Sequence, residues 1–106
     1  MTTKIPTHSE LIQRLCCDLQ NSAYWAEFAR RFHDYICFVV VRELTLQVGQ
    51  ANPDAIAQFI QEVYARLLAC SGQALRDYRG REENSLYRYL EIIAIRTVLK
   101  GVGSRA

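Results

Sequence analysis

Apolar residues recur every three or four positions through most of this chain, and that period is the strongest constraint on its fold. The clearest case is the segment 53–70, whose apolar positions are Ile56, Phe59, Ile60, Val63, Leu67 and Cys70. Residues at this spacing lie on one face of an α-helix. No segment alternates apolar and polar residues as a half-buried strand would. The pattern predicts an all-α protein, a compact helical bundle of three main helices plus a shorter N-terminal helix.

Capping residues and helix breakers predict where the helices begin and end. Thr7 and Glu10 have the spacing of a capping box at the start of the first helix. Asn52-Pro53-Asp54 supplies a capping side chain and a proline for the third helix, which Ser71-Gly72 ends. Helices are predicted at 8–20, 22–48, 53–70 and 85–102, with a short turn near 74–77 and a frayed end or linker start at 101–106.

The length and the apolar content limit the architecture to a single domain. A chain of 106 residues builds one modest core, so 1–106 is predicted to be one domain. No run approaches the roughly 20 consecutive apolar residues of a membrane span. The segment Met1–Pro6 lacks the apolar core of a secretory signal. The sequence therefore predicts a cytoplasmic protein with no membrane partner.

The residue types that carry enzyme and metal chemistry form no recognisable site. The cysteines are Cys16, Cys17, Cys37 and Cys70. Their spacing matches neither a zinc site nor a redox pair, and we expect reduced thiols that pack as small apolar side chains. Neither His8 nor His33 belongs to a motif that places a base beside a nucleophile, and there is no glycine-rich phosphate loop. We expect no catalytic residue, no metal and no cofactor, and we predict that the chain is not an enzyme.

The charge is unevenly distributed along the chain, although the formal net charge is only +2. Residues 1–72 contain six basic and seven acidic side chains, whereas 73–106 contain seven and four. A local excess of basic residues is typical of a surface that binds nucleic acid. A solvated face of a globular domain accounts for the same excess equally well.

Two motifs in the second half of the chain suggest binding surfaces. The third predicted helix contains Gln61-Glu62-Val63-Tyr64, and the fourth begins with Ser85-Leu86-Tyr87-Arg88-Tyr89-Leu90. An arginine-rich loop, Tyr78-Arg79-Gly80-Arg81, lies between them. The first motif offers polar side chains for docking a protein. The loop and the second motif suit nucleic acid, because arginines bind phosphates and aromatic rings stack on unpaired bases, each stack contributing about 1–3 kcal/mol.

Together with Ser9–Ile12 and Trp25–Tyr35, these motifs resemble the second conserved region of bacterial RNA polymerase sigma factors, nearest the extracytoplasmic-function group. The resemblance covers the chain from about Ser9 to Lys100. It implies an all-helical domain whose third helix docks on the clamp helices of the largest subunit of the polymerase core. It also implies that the loop and the fourth helix engage the promoter's minus-ten element and help to open it during transcription initiation.

The resemblance implies two sets of binding residues. The residues for the polymerase core are Gln58, Gln61 and Glu62. The residues for promoter DNA are Arg79, Arg81, Tyr87, Arg88, Arg96 and Lys100. Tyr89 lies on the apolar stripe of its helix and is predicted to pack in the core, whereas Tyr87 lies off that stripe and is the better candidate for stacking on a base. Solvation of the helix is the alternative explanation for Gln61 and Glu62.

The chain differs from the family at positions that matter for both contacts. Ala57 and Gln58 stand where the family usually carries an acidic pair, which weakens a charge-driven contact with polymerase. Arg96 and Lys100 stand where it usually carries an asparagine and, four residues later, an aspartate. These substitutions argue against specific reading of the minus-ten element, while basic side chains still favour weak or non-specific binding to phosphate.

The fourth predicted helix carries a second apolar stripe. Leu86, Tyr89, Leu90 and Ile93 form the first stripe, and Ile92, Ile95 and Leu99 form the second on nearly the opposite side. A helix that is apolar on two sides is usually buried on both. We therefore predict that Ile92, Ile95 and Leu99 cover an interface with another domain or another chain, such as an anti-sigma factor or a dimer mate.

This second stripe supports an alternative function. The chain would then be a degenerate sigma-like protein-interaction or dimerising module that does not recognise promoters. The two functions make different demands on the fourth helix: promoter engagement needs an exposed basic and aromatic surface, and protein association needs an exposed apolar one.

Overall fold

The structure, a computed structural model, describes residues 6–78 and 85–105, with side chains described as far as Gly103. These residues form four α-helices, which are α1 (His8–Cys17), α2 (Ser22–Val48), α3 (Pro53–Asp77) and α4 (Ser85–Arg105). The all-α fold class predicted from the apolar period is confirmed over the described ranges. None of these four helices is long and apolar enough to cross a lipid bilayer.

Polar side chains begin the first three helices. Thr7 Oγ1 accepts a 3.1 Å hydrogen bond from the Glu10 N–H, and the Glu10 carboxylate accepts a 3.1 Å bond from the Thr7 N–H. Asn21 Oδ1 accepts bonds of 3.0 and 3.2 Å from the first turn of α2. Asn52 Oδ1 accepts a 2.8 Å bond from the Asp54 N–H at the start of α3. Each bond satisfies a backbone donor that helix geometry leaves unpaired.

α1 ends at Cys17, three residues before the predicted end at Gln20. The backbone leaves helical geometry at Asp18. The carbonyl of Leu19 instead accepts a 2.7 Å hydrogen bond from the indole N–H of Trp25 in α2. The end of α1 thus coincides with a hydrogen bond between the connection that follows α1 and the first turn of α2, and the local apolar pattern contains no signal for it.

α3 is interrupted by residues that leave helical geometry. The three residues 70–72 have φ angles of 53°, 56° and 80°, in the left-handed region that residues with a Cβ seldom adopt. The guanidinium of Arg76 donates hydrogen bonds to the carbonyls of Cys70 and Ser71. The carbonyls released by the break thus have a partner. The turn predicted near 74–77 is wrong, because the chain resumes a helix there and continues to the end of α3.

The core lies between α2 and the other three helices. Its largest buried side chains are Phe28 and Phe32 of α2 and Phe59 of α3. α4 turns one face inward and buries Leu86, Leu90, Ala94 and Val98. Residues of α2 at helical spacing fill the centre, namely Ile36, Val39, Val40 and Leu44. The burial of these side chains sets which face of each helix remains in solvent.

α3 and α4 approach closely where Gly101 faces the ring of Phe59. A Cβ atom at Gly101 would overlap that ring. Phe59 is fully buried, so its ring has little room to move away. Gly103, two residues further along the same helix, has no neighbouring atom within 4 Å of the position of its Cβ.

We expect Gly101→Ala to lower the free energy of unfolding by about 1–2 kcal/mol, because overpacking costs about 1–3 kcal/mol and the better helix propensity of alanine returns up to about 1 kcal/mol. Urea unfolding followed by circular dichroism measures the change. Gly103→Ala is the matched control, since it gains the propensity without the overlap, and it should be neutral or slightly stabilising. Equal effects of the two substitutions would contradict the close approach.

Candidate functional site

The outward face of α3 carries the residues predicted to bind polymerase. Gln58 and Gln61 are exposed and Glu62 is half-buried. We call these three residues the polar α3 face. Their neighbour Val63 is fully buried, so the core determines how α3 is rotated about its axis. The polar α3 face therefore presents amide and carboxylate groups to solvent, where each can donate or accept hydrogen bonds.

Tyr64, the last residue of the Gln-Glu-Val-Tyr motif, holds α3 against α2. Its hydroxyl shares a 2.9 Å hydrogen bond with Nδ1 of His33, and the two rings stack with their centroids 5.9 Å apart. The ring of Trp25 lies 6.3 Å from that of Tyr64. Burial raises the pKa of the Tyr64 hydroxyl to about 12, so the phenol stays protonated at neutral pH. The motif thus divides into two residues directed towards solvent and two that hold the fold together.

α4 presents both cations and apolar side chains to solvent. Its exposed residues include Arg88, Ile92, Arg96, Leu99 and Lys100. We call Arg88, Arg96 and Lys100 the basic α4 face, which extends about 18 Å at the usual rise of a helix. Ile92 and Leu99 are 40% and 44% exposed, whereas Ile95 is half-buried and packs against the edge of the core. The predicted second apolar stripe is therefore exposed at its two ends and partly covered in its middle.

The ring of Tyr87 faces α2 rather than solvent. Its centroid lies 5.2 Å from that of Phe32, 5.1 Å from that of Tyr35 and 5.7 Å from that of His8. The side chain of Tyr87 is half-buried and packs against the core. The position of Tyr87 off the apolar stripe suggested an exposed ring, and the structure corrects that expectation because α2 supplies aromatic partners on this side of α4.

Tyr89, near the start of α4, contacts the end of α3. Its hydroxyl donates a 2.7 Å hydrogen bond to the carbonyl of Ala74, and its ring lies 5.4 Å from that of Tyr78. The side chain packs against the core. This agrees with the apolar stripe, which assigned Tyr89 to packing.

The structure brings together three of the six residues that the resemblance assigns to promoter DNA. Arg88, Arg96 and Lys100 share the basic α4 face. Tyr87 belongs to the aromatic cluster with α2. Arg79 and Arg81 lie outside the described residues. Of the described residues in this predicted set, those that share an exposed face are therefore cationic and not aromatic.

An open groove of about 580 Å³ runs between α3 and α4. Its lining includes Glu62 and Arg66 of α3 and Lys100 and Gly101 of α4. Glu62 belongs to the polar α3 face and Lys100 to the basic α4 face. The two candidate binding surfaces therefore adjoin along this groove.

A polar network that the sequence did not reveal joins α2 to α4. The Tyr35 hydroxyl donates a 3.0 Å hydrogen bond to the Glu91 carboxylate, and a guanidinium nitrogen of Arg42 lies 3.4 Å from the same oxygen. Burial, reinforced by the Glu91 carboxylate, raises the pKa of Tyr35. The paired residues are 56 and 49 positions apart in sequence. No local spacing signals such a network.

Two arginines and Glu27 anchor the N-terminal segment to α2. The Arg31 guanidinium donates to the Glu27 carboxylate at 2.5 Å and to the Pro6 carbonyl at 2.8 Å, and it lies 3.1 Å from Nδ1 of His8. Arg30 donates two further bonds to Glu27, of 2.9 and 2.6 Å. Hydrogen bonds from Arg30 and then Arg31 lower the pKa of Glu27 from 4.5 to about 2.

The thiols and the acidic groups show no metal-binding arrangement in the ranges 6–78 and 85–105. No group of three or more histidine, cysteine, aspartate or glutamate side chains is placed there to hold a metal ion. The four cysteines are free thiols. Burial raises the pKa of Cys16 and of Cys37, which favours their protonated, less reactive form.

In comparisons with known proteins, no family model, no curated protein and no solved structure matches this chain. The resemblance to sigma factors therefore stays a prediction from the motifs and their order in the sequence.

We expect Glu27→Gln to destabilise the fold at neutral pH, with the difference from wild type shrinking in acid. A carboxyl whose pKa is lowered by folding stabilises the fold above its ordinary pKa and loses that contribution as the pH falls through the lowered value. The window is pH 4.5 to about 2. Urea unfolding midpoints of both proteins across this range measure the effect.

Glu43→Gln is the control for loss of a carboxylate from the same helix. Within the part of the chain that the structure describes, no arginine donates a hydrogen bond to Glu43, so its substitution should have the smaller effect. A difference between wild type and Glu27→Gln that stays constant down to the lowest pH would contradict the ion pairing.

Proposed function

We propose that this chain is a sigma-factor region-2-like domain that binds RNA polymerase core and contributes to promoter engagement in transcription initiation. The observation that carries the proposal is the adjacency of the polar α3 face and the basic α4 face along the groove between the two helices. A domain that holds polymerase and DNA at the same time needs two such surfaces side by side. The proposed role is one of binding rather than catalysis, and it belongs in the cytoplasm, where bacterial transcription takes place.

Hydrogen bonds carry most of the polymerase contact in this proposal. The exposed amides of Gln58 and Gln61 each offer donors and an acceptor. Ala57 and Gln58 replace the acidic pair usual in the family, so Glu62 supplies the remaining negative charge of the surface. A polar docking surface of this kind gives specificity. A partner without matching groups would leave the donors and acceptors of the polar α3 face buried and unpaired.

In this proposal the basic α4 face contacts DNA through its phosphates. Arg88 and Arg96 have planar guanidinium groups suited to phosphate oxygens, and Lys100 adds a compact charge. Contacts to phosphates position a protein on DNA and carry no sequence information by themselves. Because Tyr87 is held by the aromatic cluster with α2, we infer that this surface binds DNA weakly and without sequence preference.

A sigma-like protein-interaction module is the second candidate. The exposure of Ile92 and Leu99 favours it, because apolar side chains that share a solvent-facing surface often mark a binding site. The cations of the basic α4 face are interspersed with these two residues, so a protein partner there would need acidic as well as apolar side chains. In this second candidate the partner is an anti-sigma factor or another domain that competes with DNA for α4.

We expect purified polymerase core to capture the wild-type chain at near-physiological salt and to lose most of the Gln61→Ala/Glu62→Ala variant. Truncation of polar contacts at the centre of an interface costs about 1–3 kcal/mol, which is roughly a tenfold to hundredfold loss of affinity. A pull-down with quantified bound fraction measures it.

Glu43→Ala/Gln47→Ala is the matched control for that pull-down. It removes the same two residue types from α2, where Glu43 is half-buried and Gln47 is exposed. Its capture should equal that of wild type. Absence of capture for wild type and both variants would refute the polymerase proposal for this chain.

We expect Arg96→Ala to weaken binding to duplex DNA of any sequence and to reduce the salt dependence of that binding. Loss of one phosphate contact lowers the slope of log K against log salt by about 0.9. Fluorescence anisotropy at several salt concentrations measures both quantities. Arg14→Ala removes an exposed arginine from α1 and should leave the slope unchanged. Equal slopes for wild type and Arg96→Ala would remove Arg96 from the DNA surface.

A further inference from the structure

One half-buried arginine has a charge that the fold does not pair. Arg31 donates to the Glu27 carboxylate, and the Arg42 guanidinium contacts that of Glu91. Arg66 in α3 is also half-buried, but in the parts of the chain that the structure describes no carboxylate forms an ion pair with it. Arginine that is withdrawn from water is usually paired. The five N–H donors of Arg66 are therefore available to a group from outside the chain.

Arg66 lines the groove between α3 and α4, which we call the α3–α4 groove. Its volume of about 580 Å³ is within the range of about 300–1,000 Å³ that is typical of ligand sites. Lys100 lines it from α4, so each of the two helices places a cation in its wall. The described lining includes one carboxylate, that of Glu62, one helical turn before Arg66. Positive charge therefore predominates in the groove.

The rest of the lining is small or already hydrogen-bonded. Ala65, Ala69 and Gly101 have no polar side-chain group. The Thr97 hydroxyl donates a 2.7 Å hydrogen bond to the Ile93 carbonyl, so its proton is used within α4. The side-chain donors for a ligand are therefore those of the two cations, and the small residues leave room for the ligand beside them. This combination suits an anionic group with apolar flanks.

We propose that the α3–α4 groove seats a phosphate of the DNA backbone and that Arg66 is its main donor. This inference rests on the proposed DNA contact and extends it from α4 to α3. The planar guanidinium of Arg66 can bind two phosphate oxygens at once, and Lys100 adds a second charge. A backbone phosphate is flanked by deoxyribose rings, whose C–H surfaces match the small apolar residues of the groove.

The surroundings of the groove favour DNA over an acidic segment of a protein. Arg96 lies one turn before Lys100 and is exposed on α4, so the cations of the groove continue onto the basic α4 face. A DNA strand carries a negative charge at every nucleotide and can occupy both places. Phosphate contacts carry no sequence information, so Arg66 strengthens the binding of DNA of any sequence.

Fluorescence anisotropy of a labelled duplex at several salt concentrations tests the role of Arg66. Arg66→Ala should weaken binding about tenfold and lower the slope of log K against log salt by about 0.9, the value for one lost phosphate contact. Arg66→Lys should keep most of the slope but lose affinity, because an ammonium group does not bind two oxygens in parallel. Arg14→Ala is the control, since it removes an exposed arginine from α1, and it should match wild type.

Ala65→Leu tests the groove without a change of charge. The larger side chain fills the space beside Arg66, so it should lower the slope as much as Arg66→Ala does. The double variant Ala65→Leu/Arg66→Ala should bind no more weakly than either single variant, because both remove the same contact. Ala57→Leu is the matched control, since Ala57 is exposed on the same helix and lies outside the groove. It should bind as wild type does.

Three results would overturn the groove contact. An unchanged slope for Arg66→Ala beside a lowered slope for Arg96→Ala would remove it and leave the proposed DNA contact of α4 in place. A wild type that binds no duplex would remove both. If Arg66→Ala leaves the DNA slope unchanged and instead weakens binding to labelled poly-L-glutamate, the groove takes an acidic protein segment. Circular dichroism shows whether each variant keeps its helices, and if Arg66→Ala does not, Ala65→Leu decides the outcome.

Discussion

The packing of Tyr87 against Phe32 and Tyr35, together with the burial of Leu86, Leu90, Ala94 and Val98, determines which side of α4 faces solvent. Aromatic contacts of this geometry contribute about 0.5–1.5 kcal/mol beyond the area they bury. One turn later, the hydrogen bond from Tyr35 to Glu91 holds the same side of α4 against α2. Because Tyr87 and Glu91 both face α2, the residues of α4 that lie about a third to a half turn away around the helix axis face solvent. The exposure of the basic α4 face is thus a consequence of how α4 packs on α2, to which the aromatic side chains of α2 contribute.

Features that depend on neighbouring residues were predictable from the sequence. The capping box at Thr7 and Glu10 joins residues three positions apart, and the apolar period of α3 follows from a single helix turn. Features that depend on distant residues were not. The network of Tyr35 and Arg42 with Glu91 joins residues 56 and 49 positions apart, and the bond from Tyr89 to the Ala74 carbonyl joins α4 to α3.

The same distinction applies to the candidate site. The exposure of Gln58 and Gln61 follows from their place opposite an apolar stripe, so the period alone located them. The inward position of Tyr87 and the groove that joins α3 to α4 required knowledge of how the helices pack. The resulting surface divides by chemistry: the polar α3 face offers hydrogen bonds, and the basic α4 face offers positive charge.

The hydrogen bond between Trp25 and Leu19 has a practical consequence. Trp25 is the only tryptophan in the sequence, and its ring lies 5.3 Å from that of Phe28 and 6.3 Å from that of Tyr64. The indole therefore lies where the connection between α1 and α2 meets α2 and α3. Its intrinsic fluorescence responds to the polarity around the ring, so the chain carries a native optical probe for the packing of α2 against α3 and against the connection that follows α1.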